Sequence, residues 1–171
     1  MEIEIREIDS QNPAQDVVVI ADLAREIWTE HYVPIIGQAQ VTYMLDRFQS
    51  APSILSDIIE NGYRYWLAEG SEPIGYCGAV IKSDGVFLSK IYVLARYRGH
   101  GVARGFFHLV RQWCLAAELP RIWLTVNKYN TGSVAAYQRL GFATVDAVVT
   151  QIGEGYVMDD YVMECLVSTN S

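Results

Sequence analysis

The stretch Leu88-Ser89-Lys90-Ile91-Tyr92-Val93-Leu94-Ala95-Arg96-Tyr97-Arg98-Gly99-His100-Gly101-Val102 limits what this chain can fold into more than any other. Its first part is β-branched and aromatic, which reads as a strand. Its continuation places Val102, Phe106, Leu109, Val110 and Trp113 on one face of a helix. Gly99 and Gly101 lie between the two, where a missing Cβ lets the backbone press close to a ligand. The first turn of a helix carries N–H groups with no helical acceptor and a partial positive charge. A strand–turn–helix of this kind can therefore hold a phosphate.

With 171 residues, 51% apolar and 19% charged, the chain suits one folded domain over 1–171 with a sizeable core. Its net charge of −7 argues against non-specific binding to nucleic acid or anionic lipid and suits a cationic small substrate. Ordinary solubility accounts for the acidity equally well. No run of about 18 apolar residues is present, so no membrane span is expected. Ile3, Ile5 and Ile8 alternate with charged residues, the pattern of a strand and not of a signal peptide. Cys77, Cys114 and Cys165 sit singly in periodic segments; they read as buried thiols in a reducing, cytoplasmic setting. No spacing of His, Cys and carboxylates fits a metal site, and no metal is expected.

Along the chain, residues 2–8 read as a strand, and Asn12-Pro13 as the N-cap and first position of a helix bearing Val17, Ile20, Ala21, Ala24 and Ile27-Trp28. Thr29-Glu30-His31-Tyr32-Val33-Pro34 reads as a polar and aromatic break. A second helix over about 38–49 turns Val41, Met44, Leu45 and Phe48 inward. Ser50-Ala51-Pro52 opens a third, with Ile54, Leu55, Ile58 and Ile59 inward and Asn61-Gly62 as its stop. Strands are then expected at Tyr63 to Ala68, Ile74 to Ile81 and Val86 to Leu94, forming a meander. The helix of the opening stretch runs to about Glu118, before Pro120, and Ile122 to Val126 is a strand parallel to 86–94. Asn130-Thr131 caps a helix over about 131–139, and strands follow at 142–150 and 155–166. The expected fold is α/β (α+β): a mixed, mostly antiparallel sheet of about seven strands containing one βαβ crossover, in the order β-α-α-(α)-β-β-β-α-β-α-β-β.

Three phosphate-binding patterns compete for the glycine turn. A P-loop needs Lys-Ser or Lys-Thr after its last glycine, where this chain has Val102-Ala103. A dinucleotide fingerprint needs a third glycine where Arg104 stands; Gly105 comes one residue late. The third is (Gln/Arg)-x-x-Gly-x-(Gly/Ala), met by Arg96, Gly99 and Gly101. Here the chain resembles the GCN5-related N-acetyltransferases. A second signature supports the resemblance: Arg121 to Val126, then Asn130, Tyr137 and Leu140-Gly141-Phe142. The strings Lys90-Ile91-Tyr92-Val93, Ile122-Trp123-Leu124 and Tyr156-Val157-Met158-Asp159-Asp160-Tyr161 look like the PaiA-type, polyamine-acetylating branch. Ala95 departs from the proline usual in the family.

The resemblance implies acetyl-CoA as co-substrate. Its pyrophosphate would rest on backbone N–H groups from Arg98 through Ala103, including those of Gly99, His100, Gly101 and Val102, with Arg98 and Arg104 as charged contacts or solvated surface. Its pantetheine arm would pair with Ile91, Tyr92 and Val93 as an added strand would, and the Val93 N–H would polarise the thioester carbonyl. Asn130 is a helix cap that also serves the cofactor arm, and Tyr137 is the general acid for the departing thiolate or an aromatic packed on the sheet. Glu30, taken as lying in a loop beside the acceptor, is the candidate base; Asp159 and Asp160 are the others, or bind a cation. Trp28, His31 and Tyr32 line the acceptor site or pack the helix. The expected reaction is direct acetyl transfer to a small cationic amine. A protein terminus or lysine as acceptor, or a non-catalytic acyl-CoA-binding protein, remain the alternatives. A homodimer is the commonest assembly for such a chain.

Overall fold

Period-two segments and capped amphipathic segments settle into strands and helices in the expected order. The computed structural model describes residues 2–167. The elements are β1 (Glu4–Glu7), α1 (Ala14–Ile36), α2 (Gln38–Phe48), α3 (Ala51–Glu60), β2 (Arg64–Glu69), β3 (Pro73–Lys82) and β4 (Gly85–Val93). A 3-10 turn (Ala95–Tyr97) leads to α4 (Val102–Ala116), β5 (Arg121–Asn127), α5 (Thr131–Leu140), β6 (Ala143–Gly153) and β7 (Tyr156–Leu166). The seven strands are hydrogen-bonded in the order β1-β2-β3-β4-β5-β7-β6. β4 and β5 run parallel, as a helical crossover requires, while β5–β7 and β6–β7 are antiparallel. The chain gathers into two compact units, Met1–Val80 with Lys90–His108, and Ile81–Ser89 with Leu109–Ser171.

Two local expectations are corrected in α1. Asn12 is not its N-cap: Asn12 N donates to Asp9 O at 3.1 Å inside a turn, Pro13 is the cap residue, and Val17 N makes the first helical bond to Pro13 O. Nor does the helix break at Thr29–Pro34. It runs on to Ile36, because Ile27, Trp28 and Tyr32 continue the buried stripe. Pro34 deprives only the carbonyl of exposed Glu30, which water can serve. The stop comes at Gly37, whose N–H bonds Val33 O at 2.9 Å. In α3, Ser50 Oγ accepts from Ser53 N as the capping pattern requires. Ile59, expected inward, is exposed.

In the first unit Ile20, Ala24, Val41, Ile54, Leu67 and Tyr76 are fully buried between the helices and the strands. A charge is buried with them. Lys90, only 6% exposed, places Nζ 3.0 Å from Phe48 O, 3.1 Å from Asp57 Oδ2 and 2.6 Å from Tyr65 OH. Its three protons thus meet three acceptors. Tyr65 in turn donates to Asp57 Oδ2 at 2.7 Å. Burial pulls the Lys90 ammonium below its ordinary pKa, opposed by Asp57, and pushes the Tyr65 phenol well up. This network ties the ends of α2 and α3 to β4. In the second unit Val86, Val110, Cys114, Ile122, Leu124 and Met163 are buried to 1% exposure or less. Deleting one partner of a buried ion pair typically costs about 3–5 kcal/mol. Asp57→Ala is therefore expected to lower the melting temperature by about 6–20 °C. Replacing Asp57 and Lys90 together by Leu and Met is expected to recover most of that loss, both read by calorimetry.

Candidate active site

β3 and β4 approach closely where the opening stretch leaves its strand. A Cβ on Gly75 would lie 2.5 Å from Tyr92 O and 3.2 Å from Val93 Cα, so only glycine fits there. Leu94 N donates to Ile74 O at 2.9 Å. Because amides alternate along a strand, the Val93 N–H turns to the other edge of β4. The parallel ladder on that edge has its rungs at Gly85–Arg121, Val86–Ile122 and Phe87–Trp123. Ile91 and Tyr92 are half-buried and Val93 is buried.

The chain then turns left-handed twice, with φ of +83° at Gly99 and +79° at Gly101, before α4 begins. Tyr97 N and Arg98 N are already spent on Leu94 O and Ala95 O, and Gly105 N makes the first bond of α4, to Gly101 O at 2.9 Å. Gly99, His100, Gly101, Val102, Ala103 and Arg104 lie between these; their N–H groups meet no acceptor among the described residues. The expected cradle therefore loses Arg98 at its start. His100 folds its ring back so that Nδ1 lies 3.0 Å from Tyr97 O and 3.2 Å from Arg98 O, where it can only donate. Arg98 and Arg104 are exposed and have no carboxylate partner among the described residues.

Arg96, the charged residue of the motif, points elsewhere. It binds Glu72 Oε1 through Nε at 3.0 Å and Nη2 at 2.6 Å, and Glu26 Oε1 through Nη1 at 2.9 Å, while Tyr97 OH donates to the same Glu72 oxygen at 2.8 Å. Arg96 and then Tyr97 hold the Glu72 carboxyl below its usual range. The motif arginine thus buckles the turn to α1 and to the β2–β3 connection. No residue spacing announces this, because both carboxylates are distant in sequence.

Residue spacing along α1 separates the other candidates of the first unit. Trp28 and Tyr32, one turn apart, are buried, with ring centroids 4.5 Å from each other and 5.5 and 6.4 Å from Tyr92. His31 meets Tyr32 edge-on at 4.9 Å, and Tyr76, 5.4 Å from Tyr92, donates to Gln49 Oε1. Glu30 stands inside α1 and not in a loop, exposed, about 200° around the helix from both Trp28 and Tyr32.

In the second unit Asn130, 3% exposed, caps α5 by accepting from Ser133 N at 3.3 Å. Tyr137 is half-buried on α5 with its ring 5.8 Å from Phe142, edge to face. On β7, Asp159 Oδ1 is ion-paired with Lys128 Nζ at 2.9 Å. Asp160 is 4% exposed and stands opposite Asn127 of β5. Burial, and secondly the Asp159 charge, push its carboxyl up to about 6, against a smaller opposing pull from Lys128. Among the described residues no His, Cys, Asp and Glu gather as a metal site, and no helix is long and apolar enough to cross a membrane. Cys77 and Cys114 are buried free thiols and Cys165 is half-buried.

Known proteins resemble this chain in sequence and in fold. An uncharacterized N-acetyltransferase of Mycobacterium bovis is 32% identical over 91 residues, covering 53% of this chain and 58% of its own length. The chain thus spans a little over half the length of the curated relatives it matches. Among solved structures, the PaiA N-acetyltransferase of Thermoplasma acidophilum in complex with coenzyme A superposes with a TM-score of 0.81 at 20% identity, over 97% of this chain and 99% of that one. The ribosomal-protein-S18-alanine N-acetyltransferase of Escherichia coli gives 0.71 at 15%, over 99% and 97%. At these identities the likeness is one of fold. The model of the acetyltransferase (GNAT) family matches residues 20–142, from α1 through the glycine turn to Phe142. The chain belongs to the acetyltransferase (GNAT) family.

Proposed function

We propose that this protein is an acetyl-CoA-dependent N-acetyltransferase that passes the acetyl group directly to a small cationic primary amine. The observation that carries the reading is the run of N–H groups from Gly99 to Arg104, which contains two left-handed glycines and meets no acceptor among the described residues. Such a run stabilises a diphosphate by charge-assisted hydrogen bonds at a positive helix end. The family membership and the coenzyme A held by a protein of the same fold support that ligand. Exposed Arg98 and Arg104 are available to its remaining charge.

In the reaction the amine loses a proton and attacks the thioester carbonyl carbon. The C–N bond forms, negative charge builds on the oxygen, and the outward Val93 N–H receives it. The C–S bond then breaks, and the Tyr137 phenol protonates the leaving sulfur. Its phenolate regains a proton from the nitrogen as the amide forms. Holding both substrates together supplies much of the rate. The acidic net charge of −7 favours a cationic acceptor, and free thiols suit a reducing compartment.

The direct test is thiol release from acetyl-CoA with a panel of small diamines, lysine peptides and N-terminal peptides. Turnover is expected with the small amines. Turnover confined to peptides would move the acceptor to protein, and coenzyme A binding without turnover would make the chain a non-catalytic binder. Tyr137→Phe is expected to lower kcat about ten- to a thousand-fold with little change in acetyl-CoA affinity; an unchanged kcat removes the phenol from the mechanism. Nothing lies within 4 Å of a Cβ built on Gly101, so Gly101→Ala acts through backbone strain alone, about 1–2 kcal/mol. Differential scanning calorimetry is expected to show its melting temperature lowered by about 2–8 °C.

A further inference from the structure

Four polar or charged residues are buried in the described structure, and three have hydrogen-bonded side chains. Gln49 accepts from Tyr76, Lys90 is held by Phe48 O, Asp57 and Tyr65, and Asn130 accepts from Ser133 N. Asp160 is the exception. The residue is 4% exposed and its carboxylate meets no hydrogen-bond donor among the described residues, yet neither of its oxygens is among the side-chain atoms sealed from solvent. A buried, unpartnered carboxylate is costly, and a native fold retains one for a reason outside its own packing.

Placement narrows the reason. Asp160 lies on β7 between Asn127 of β5 and Val148 of β6, so its backbone is in the ladder on both sides and its side chain has little freedom to leave. It sits beside the carboxyl end of β5, and the carboxyl ends of strands are where open α/β sheets take ligands. Asn127 Oδ1 accepts from Tyr129 N at 2.9 Å, which shapes the turn leading to Asn130 and the helix of Tyr137. The charged groups acting on Asp160 are Asp159 on its own strand and Lys128 from the β5–α5 connection; β6 presents Val148 opposite. Lys128 is committed to Asp159, 2.9 Å away, which leaves Asp160 without a cation of its own.

We propose that Asp160 is the carboxylate that binds the acceptor's ammonium group and takes its proton before attack. The proposal rests on the acetyltransferase reading above and assigns its general base. The ammonium gives one proton to the carboxylate, the freed amine forms the C–N bond, and the proton passes from Asp160 to solvent once the amide has left. Burial sets the carboxyl up to about 6, close enough to neutral pH to accept a proton and release it. A carboxyl raised in the folded chain stabilises the protein when protonated, so stability contributed by Asp160 is lost as pH rises from the usual aspartate range through about 6.

That sign gives the test its force. Asp160→Asn removes the buried charge and is expected to raise the melting temperature at pH 7.5 while lowering kcat/KM for 1,4-diaminobutane about a hundred-fold, with acetyl-CoA affinity unchanged. The wild-type kcat/KM is expected to fall below about pH 6, and this acid limb to vanish in the variant. With trifluoroethylamine, largely unprotonated at neutral pH, the two proteins are expected to differ far less. An Asn variant that keeps the rate and the acid limb overturns the assignment. So does one that melts earlier or fails to fold, since Asp160 would then be structural. If the wild type releases thiol with no amine, the acetyltransferase reading fails and takes this assignment with it. A fully active wild type beside an unimpaired variant sinks Asp160 alone.

Discussion

A backbone that turns left-handed at Gly99 and again at Gly101 is the constraint on which the candidate site depends. The two glycines stand in a run of six consecutive N–H groups, Gly99 to Arg104, that meet no backbone acceptor among the described residues. Side chains around the turn serve that geometry. Arg96 and Tyr97 clamp it through Glu72 and Glu26, His100 closes its ring over two carbonyls, and Gly75 lets β3 press against the exit of β4. The proposed cradle is therefore made of backbone, which would select for charge and shape.

The carboxylate proposed for the acceptor lies in a different part of the chain. The matched family range ends at Phe142, so it contains the glycine turn and Tyr137 but neither β6 nor β7. Asp160 belongs to the part beyond. Keeping its charge buried costs about 3 kcal/mol at neutral pH if the whole rise of its carboxyl is counted. Lys90, equally buried, is compensated by three acceptors. Lys90 is thus a buried charge with its acceptors in place, and Asp160 a buried carboxyl with no donor among the described residues.

Element order and the parallel β4–β5 pair were legible because each rests on local pattern: period-two strands, caps such as Ser50 and Asn130, and a helical crossover. The false break in α1 arose where local chemistry and tertiary burial disagree. Pro34 and a polar run argue for a stop, but burying Trp28 and Tyr32 against Tyr92 outweighs one lost hydrogen bond. The same error put Glu30 in a loop, when the helix carries it to the exposed side. Arg96 was read from its motif, yet its acceptors lie 24 and 70 residues away and leave no trace in spacing. Asp159 and Asp160 are adjacent and identical as letters. Only strand alternation and the reach of Lys128 put one in a half-buried ion pair and leave the other, 4% exposed, without a donor among the described residues.

Amide hydrogen exchange with and without coenzyme A reads the N–H groups of the glycine turn themselves. Gly99 through Arg104 are expected to exchange freely in the unbound protein, as amides without acceptors do, and to become strongly protected when coenzyme A is bound. Binding of coenzyme A that protects other segments and leaves these six amides unchanged would contradict the proposed cradle.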